Sequence, residues 1–316
     1  MRAPGLAQAP VAARRVLIPR AAPRQLSASA QKSFARDIAR LAVGSLHTEL
    51  CLYPKPGLVS LVDSGSHSDM NAATFMRSLF SLRHYFKDIC MAGLNDAAFS
   101  QLKQLGIAAE KSMLAATRGI NTHRGAIFSL GLLCAAAGRA RAQGTPMAPA
   151  ALRATMLIRW GEELAMHASA PSTLTAAQAA SNGLRVAAQY AASGAREEGA
   201  LGLPSVFEIG VPALQAAHAR GATMTMARID ALFALMAHIS DSNVYHRAGP
   251  QGAQTVKAHA QRFLDAGGTA NANWRGQALA SHRLFVQRRL SPGGAADLLA
   301  ASCLVHSIAA LTADRR

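Results

Sequence analysis

RGINTHRGAIFSLGLLCAAAG, residues 118–138, is the stretch that decides the fold. From Gly125 to Gly138 it carries no charge and is rich in Ala and Leu, the residues that lose least on entering a helix. It is far short of the ~20 residues that span a bilayer, and helical periodicity runs through it. A buried helix remains. Ahead of it crowd Asn121, Thr122, His123 and Arg124, flanked by Gly119 and Gly125. A structural cap needs one polar residue, not four, and the glycines let a ligand approach the backbone.

The same texture extends outward. The chain has 316 residues, 50% hydrophobic and 16% charged, which excludes disorder. About a fifth of the residues are Ala, against 5% aromatics, which argues for an all-α protein. Helical periodicity predicts helices at about 33–52, 70–91, 96–117, 123–141, 147–168, 174–192, 205–219, 224–239, 250–265, 274–289 and 293–312. Thr122 is expected to cap the helix opening at His123, Ser68 or Asp69 the helix after the long loop 53–69, and Ser291 the last helix, with Pro292 at its first position. No composition break divides residues 33–316, so they read as one multi-helix domain.

Residues 1–32 read as a disordered basic tail, and residues 1–30 are expected to have no part in catalysis. The first 36 residues hold seven of the basic residues behind the net charge of +16, no acid, and Pro4, Pro10, Pro19 and Pro23. A basic balance attracts polyanions: nucleic acid, acidic membranes or phosphate-rich nucleotides. The missing apolar core of a secretion signal makes the expected location cytoplasmic, and no segment is expected to span a membrane. Cys51, Cys90, Cys134 and Cys303 form no metal-type spacing and read as buried small hydrophobes.

Reactive side chains gather in short segments at predicted helix ends and loops. Glu49 precedes PKPGLV (54–59), where two prolines stiffen the backbone around Lys55; GSHSDM (65–70) offers His67 and Asp69. GAREEGALGLP (194–204) carries Arg196, Glu197 and Glu198; DSNVYHRAGP (241–250) carries Asp241, Asn243, His246 and Arg247. SPGGAADLL (291–299) puts Asp297 in the first turns of an apolar helix. There is no GxxxxGK[ST], HExxH or GxSxG. The oxygen ligands Glu49, Asp69, Glu198 and Asp241 suit a hard ion such as Mg²⁺ better than zinc.

In this order, PKPGLV, GSHSDM, GINTHRGAIFSLGLL (119–133), DSNVYHR and SPGGAADLLA resemble the triphosphoribosyl-dephospho-coenzyme A synthase family over roughly residues 40–312. The resemblance implies an all-α enzyme that moves the triphosphoribosyl group of ATP to 3′-dephospho-CoA and releases adenine. The product is the precursor of the prosthetic group of an acyl-carrier subunit, delivered through a downstream prosthetic-group transferase to the acyl-carrier protein. One branch of the family serves citrate lyase and the other malonate decarboxylase; GAREEGALGLPSVFEIGVPAL is closer to the malonate branch. One departure is Glu197, where the family usually has Gly, and it clouds the roles of Arg196 and Glu198.

The implied reaction is an N-glycoside exchange through an oxocarbenium-like state. It needs a group to take the hydroxyl proton, a donor for the departing adenine, and cations for two polyanions. Lys55, Arg124, Arg196 and Arg247 are the expected phosphate ligands, with Asn121, Thr122 and Asn243 beside them. Asp69 and Asp241 are the expected Mg²⁺ ligands. Glu49 or Glu198 is the expected base or oxocarbenium stabiliser, and His67, His123 and His246 are acid/base candidates. The rival classes are a Mg²⁺-dependent helical nucleotide hydrolase or glycohydrolase, which would use water as acceptor, and a basic nucleic-acid-binding module. The second expects basic stripes interleaved with aromatics, and the aromatics here read as core.

Overall fold

The computed structural model describes residues 26–169 and 194–313, and these form an all-α fold with no strand among them. The expectations for residues 1–25 and for a helix at 174–192 lie outside the described residues. In chain order the helices are α1 (Ala28–Cys51), α2 (Ala72–Ser81), α3 (Arg83–Leu94), α4 (Phe99–Ala116), α5 (Arg124–Gln143) and α6 (Pro149–Ser169). After the gap come α7 (Ala195–Ala200), a π turn at Ser205–Gly210, α8 (Val211–Ala219), α9 (Met224–His238), α10 (Ser242–Asp265), α11 (Trp274–Gln287) and α12 (Gly293–Ala313).

Helix α5 is buried on all sides, as its uniform apolarity requires. It packs on α3, α12 and α6, while α1 lies across α3 and α12. The α3–α5 approach is close enough to exclude side chains: a Cβ on Gly93 would collide with the Ala135 carbonyl, and one on Gly138 with that of Cys90. Tyr85 on α3 donates its hydroxyl to Ile127 O at 2.8 Å, which pays the polar toll of a buried phenol. Trp160, fully buried, donates Nε1–H to Ala97 O at 2.9 Å and ties α6 to the start of α4.

Several boundaries differ from the sequence reading. Helix α1 begins at Ala28, because Ser27 caps it by accepting from Ala30 N–H at 3.2 Å. The expected helix 70–91 is two helices that meet at Leu82. Ser81 Oγ donates to Ser78 O and Arg83 to Phe80 O, so side chains take the carbonyls that a continuous helix would use. The cap of α2 is Asn71, in a reciprocal box with Thr74, and not Ser68 or Asp69. DSNVYHR is not a loop: α10 starts at Ser242 and turns sharply at Gly249, whose φ of 61° and ψ of −164° suit glycine alone, before Pro250. GAREEG forms the short helix α7. Cys90, Cys134 and Cys303 are buried as expected, but Cys51 is exposed.

Helix α12 is long and apolar enough to cross a membrane by length and composition over Gly293–Leu311, which the sequence reading missed. It packs against α1, α5 and α9, with 61% of that window buried inside the protein.

Candidate active site

Helix α1 ends beside the loop 53–69. That loop folds back on itself through Ser66 N–H to Gly57 O at 3.0 Å and is pinned to the α11–α12 connection by Ser66 Oγ to Leu290 O at 2.6 Å. Gly57 is needed here: its φ is 70°, and a Cβ would strike the Leu290 carbonyl. The pinned loop drives Lys55 inward. Its Nζ meets Glu49 Oε1 at 2.6 Å, and the two side chains are 1% and 6% exposed. Burial pushes the Glu49 carboxyl up, while Lys55 pulls it back toward the anion.

Three helices open at this place. Asp241 caps two of them: Oδ1 accepts from Asn243 N–H at 2.9 Å on α10, and Oδ2 from Ala295 N–H at 3.1 Å on α12. Val244 and Gly294 N–H groups also bond it. One turn into α12, Asp297 lies against Gly125 at the start of α5, where a Cβ would overlap its Oδ2. The Ala126 N–H bonds the Asp297 carboxyl. Desolvation raises the Asp297 pKa well above the usual value, and the charges of Glu49 and Asp241 add to the shift.

His123 completes the cluster. It is buried, with Nδ1 2.6 Å from Ser78 Oγ, and Thr122 Oγ1 donates to that same oxygen at 2.7 Å. Ser78 therefore points its own hydrogen at Nδ1, a tautomer assigned from the hydrogen bonds, which leaves the proton on Nε2. Nε2 is buried and has no hydrogen-bond partner among the described residues. Burial, with Lys55 nearby, lowers the His123 pKa to about 3, so the ring is a neutral donor at neutral pH.

Around this core runs a more open rim. His67 Nε2 pairs with Ser291 Oγ at 2.8 Å and Nδ1 with Arg247 Nη2 at 2.9 Å. Asp69 Oδ1 is 3.6 Å from His67, with its side chain 56% exposed. Burial and Arg247 lower the His67 pKa. Arg247 also donates to Ser66 O at 3.2 Å, joining α10 to the loop.

Residues 35–316 match the family model described as ATP:dephospho-CoA triphosphoribosyl transferase. The chain belongs to this family. Among relatives of this transferase, the probable 2-(5″-triphosphoribosyl)-3′-dephosphocoenzyme-A synthase of Acinetobacter calcoaceticus is 39% identical over 259 residues, covering 82% of this chain and 86% of that protein. The equivalent protein of Stutzerimonas stutzeri is 40% identical over 281 residues, 87% and 93% of the two chains. The 2-(5″-triphosphoribosyl)-3′-dephosphocoenzyme-A synthase of Pectobacterium atrosepticum is 37% identical over 278 residues, 85% and 88%. No solved structure matches the chain.

In this triphosphoribosyl transferase the expected residues fall into three groups. Glu49, Lys55, His123 and Asp241 meet in or beside the buried core, and His67, Asp69 and Arg247 form the rim. Thr122 joins the core through Ser78, Asn243 lies against Gly293 at the start of α12, and the others face elsewhere. Arg124 pairs with Glu110 on α4, and Arg196 lies beside His167 on α6. Glu198 accepts from Ser205 Oγ at 2.5 Å and Ser205 N–H at 3.2 Å, which fastens α7 to the π turn. His246 and Asn243 are exposed on α10. Thr122 does not cap α5: Asn121 Oδ1 takes the Arg124 N–H at 3.2 Å while Thr122 turns to Ser78. Nor does Ser291 cap α12, since its hydroxyl faces His67 and Asp241 does the capping.

Two members of the core had no role in the sequence reading. For Asp297 the signal is the acid itself, set inside the apolar run GGAADLLAASCLV. Ser78 carried no signal, being one serine in an amphipathic helix.

No group of three or more His, Cys, Asp and Glu side chains among the described residues is placed to hold a metal ion. Asp241 receives four backbone N–H groups, matching the lone pairs of a carboxylate, so a metal would have to displace helix caps.

Proposed function

We propose that this chain moves the triphosphoribosyl group of ATP to 3′-dephospho-CoA and releases adenine, with Glu49, Asp297 and His123 at the reacting centre. The observation that carries the reading is the desolvated carboxyl pair, Glu49 and Asp297, at the place where the family motifs meet. Their surroundings push them apart. Lys55 favours the anion of Glu49, whereas burial, with the charges of Glu49 and Asp241, favours the protonated form of Asp297.

The division of labour follows. The Glu49 carboxylate takes the proton of the attacking 2′-hydroxyl and stabilises positive charge on the ribose. The oxygen–C1′ bond forms as the C1′–adenine bond breaks, and Asp297 gives its proton to the departing base. A proton returning from Glu49 to Asp297 resets the pair. His123 supports the base or ribose as a neutral donor through Nε2–H. Arg247, with His67 and Asp69 at the rim, meets the phosphates, and Arg124, Arg196, Asn121 and Asn243 remain outer candidates. Mg²⁺, in this reading, arrives with the ATP phosphates rather than as a resident ion, with Asp69 the exposed carboxylate that can meet it.

We assign the product to the prosthetic group of a malonate decarboxylase acyl-carrier protein, reached through a downstream prosthetic-group transferase in the cytoplasm. The GAREEGALGLPSVFEIGVPAL segment supports the malonate rather than the citrate lyase branch. The test is to incubate the chain with ATP and Mg²⁺, with and without dephospho-CoA, and measure free adenine. Release that requires dephospho-CoA supports the transfer. Equal release without it means that water is the acceptor and the chain is a glycohydrolase.

A further inference from the structure

A cavity of about 210 Å³ lies between α1, α8, α9 and α12, and none of the core residues lines it. Its walls include Arg40, Thr48, Arg228, Cys303, His306 and Ser307, and no Asp or Glu. Arg40 reaches Asp37 at 3.5 Å on the surface. Arg228 has no such partner. It is half-buried, bonds the Cys303 thiol, and its Nε is buried without a hydrogen-bond partner among the described residues.

The Glu49 charge reaches the Cys303 thiol, but Glu49 pairs with Lys55 and forms no ion pair with Arg228. Burial holds the Cys303 thiol up at about 11, so it is neutral at neutral pH. His306 is neutral or cationic, never an anion. No carboxylate among the described residues pairs with Arg228, and outside them the one acidic side chain is Asp314. A half-buried guanidinium without a counter-charge presents donors in the fork that a phosphate fits. The volume falls below the roughly 300–1,000 Å³ of a whole-ligand pocket, so a phosphate chain fits and an attached nucleoside does not.

We propose that this cavity binds an oligophosphate anion through Arg228, with Arg40, Thr48 and Ser307 around it. The site stands independently of the proposed transfer. Thr48 adjoins Glu49 on α1, so the anion is either the phosphate end of a substrate or a free oligophosphate.

The probe is inorganic tripolyphosphate, titrated calorimetrically into the full chain and into Arg228→Gln, with Arg283→Gln on exposed α11 as a control. The expected result is binding that weakens at least tenfold in Arg228→Gln and is unchanged in Arg283→Gln. Without anion, Arg228→Gln should melt no lower than wild type, because it removes an uncompensated cation, and it should lose the rise in Tm that tripolyphosphate gives wild type. Competition by saturating ATP or dephospho-CoA marks the substrate as the source, and undisturbed binding marks a free anion; either supports the site. Equal binding in wild type and Arg228→Gln, or none by wild type at millimolar probe, overturns it.

Discussion

Asp230 on α9 and Asp297 on α12 are two inward-facing aspartates held in different ways. Asp230 accepts from Thr269 N–H at 2.8 Å, Thr269 Oγ1 at 2.7 Å and Arg220 Nη2 at 2.9 Å. Its charge is answered, and it clamps the short 3₁₀ turn at Gly268–Ala270 to α9. Asp297 has the Ala126 N–H, but burial first, and then the charges of Glu49 and Asp241, resist its charge instead of answering it. Partnered carboxylates build structure, and a carboxylate held against repulsion is poised to exchange a proton.

The sharpest way to break this contrast is to neutralise each aspartate. Asp297→Asn should lower turnover by more than about a hundredfold while the chain stays folded. Asp230→Asn should keep turnover within about twofold and lose about 1–3 kcal/mol of stability. Adenine release and thermal melting read the two effects; swapped results would reverse the assignment.

The Glu49–Lys55 pair sets the next test. Glu49→Gln strands a buried ammonium and should destabilise by about 3–5 kcal/mol. The double variant Glu49→Gln, Lys55→Met should recover most of that and remain inactive. Denaturant titration of both proteins checks it, and an undisturbed midpoint for Glu49→Gln would mean that Lys55 has another counter-charge.

A pH series sharpens the contrast further. The Asp297 pKa is raised in the folded state, so well below the ordinary value of 3.8 folded and unfolded chains both hold the proton and the residue is neutral to stability. As pH rises toward the folded pKa, the unfolded chain ionises first and wild type loses stability. Asp297→Asn should therefore melt higher than wild type at pH 7.5, by a margin that shrinks toward pH 4.5. A margin independent of pH would contradict the shifted carboxyl.

The smaller effects lie around the core. Ser78→Ala removes the hydroxyl between Thr122 and His123 and should cost about tenfold in turnover, about 1.4 kcal/mol. Asp69→Asn, at the exposed rim, should change turnover less than about threefold at saturating Mg²⁺. Steady-state kinetics on both separates the buried relay from the rim, and a larger loss for Asp69→Asn would move the chemistry outward.

The fold was legible because Ala and Leu at helical spacing leave little else to form, and most long helices stand within a few residues of expectation. The break at Leu82 was not, since no Pro or Gly marks it; Ser81 and Arg83 bond carbonyls near the end of α2 instead. Polar residues at helix starts were visible as a group, but their roles were not. Asn121, Thr122 and Ser291 all have capping chemistry, and only contacts distant in sequence decide which of them caps. Asp297 waited on Gly125, some 170 residues away, to show what it faced.

The contact between α3 and α5 bears on how this chain tolerates change. With the Gly93 and Gly138 backbones against opposing carbonyls, even an added methyl forces the helices apart. Helix α5 carries Gly125 and follows His123, so a wedge near its far end tilts the end where the acids meet. Drift along this seam is closed to every side chain, while exposed Ile158 on α6 is free to vary. Two glycines remote from the chemistry thus fence the lineage more tightly than much of the rim.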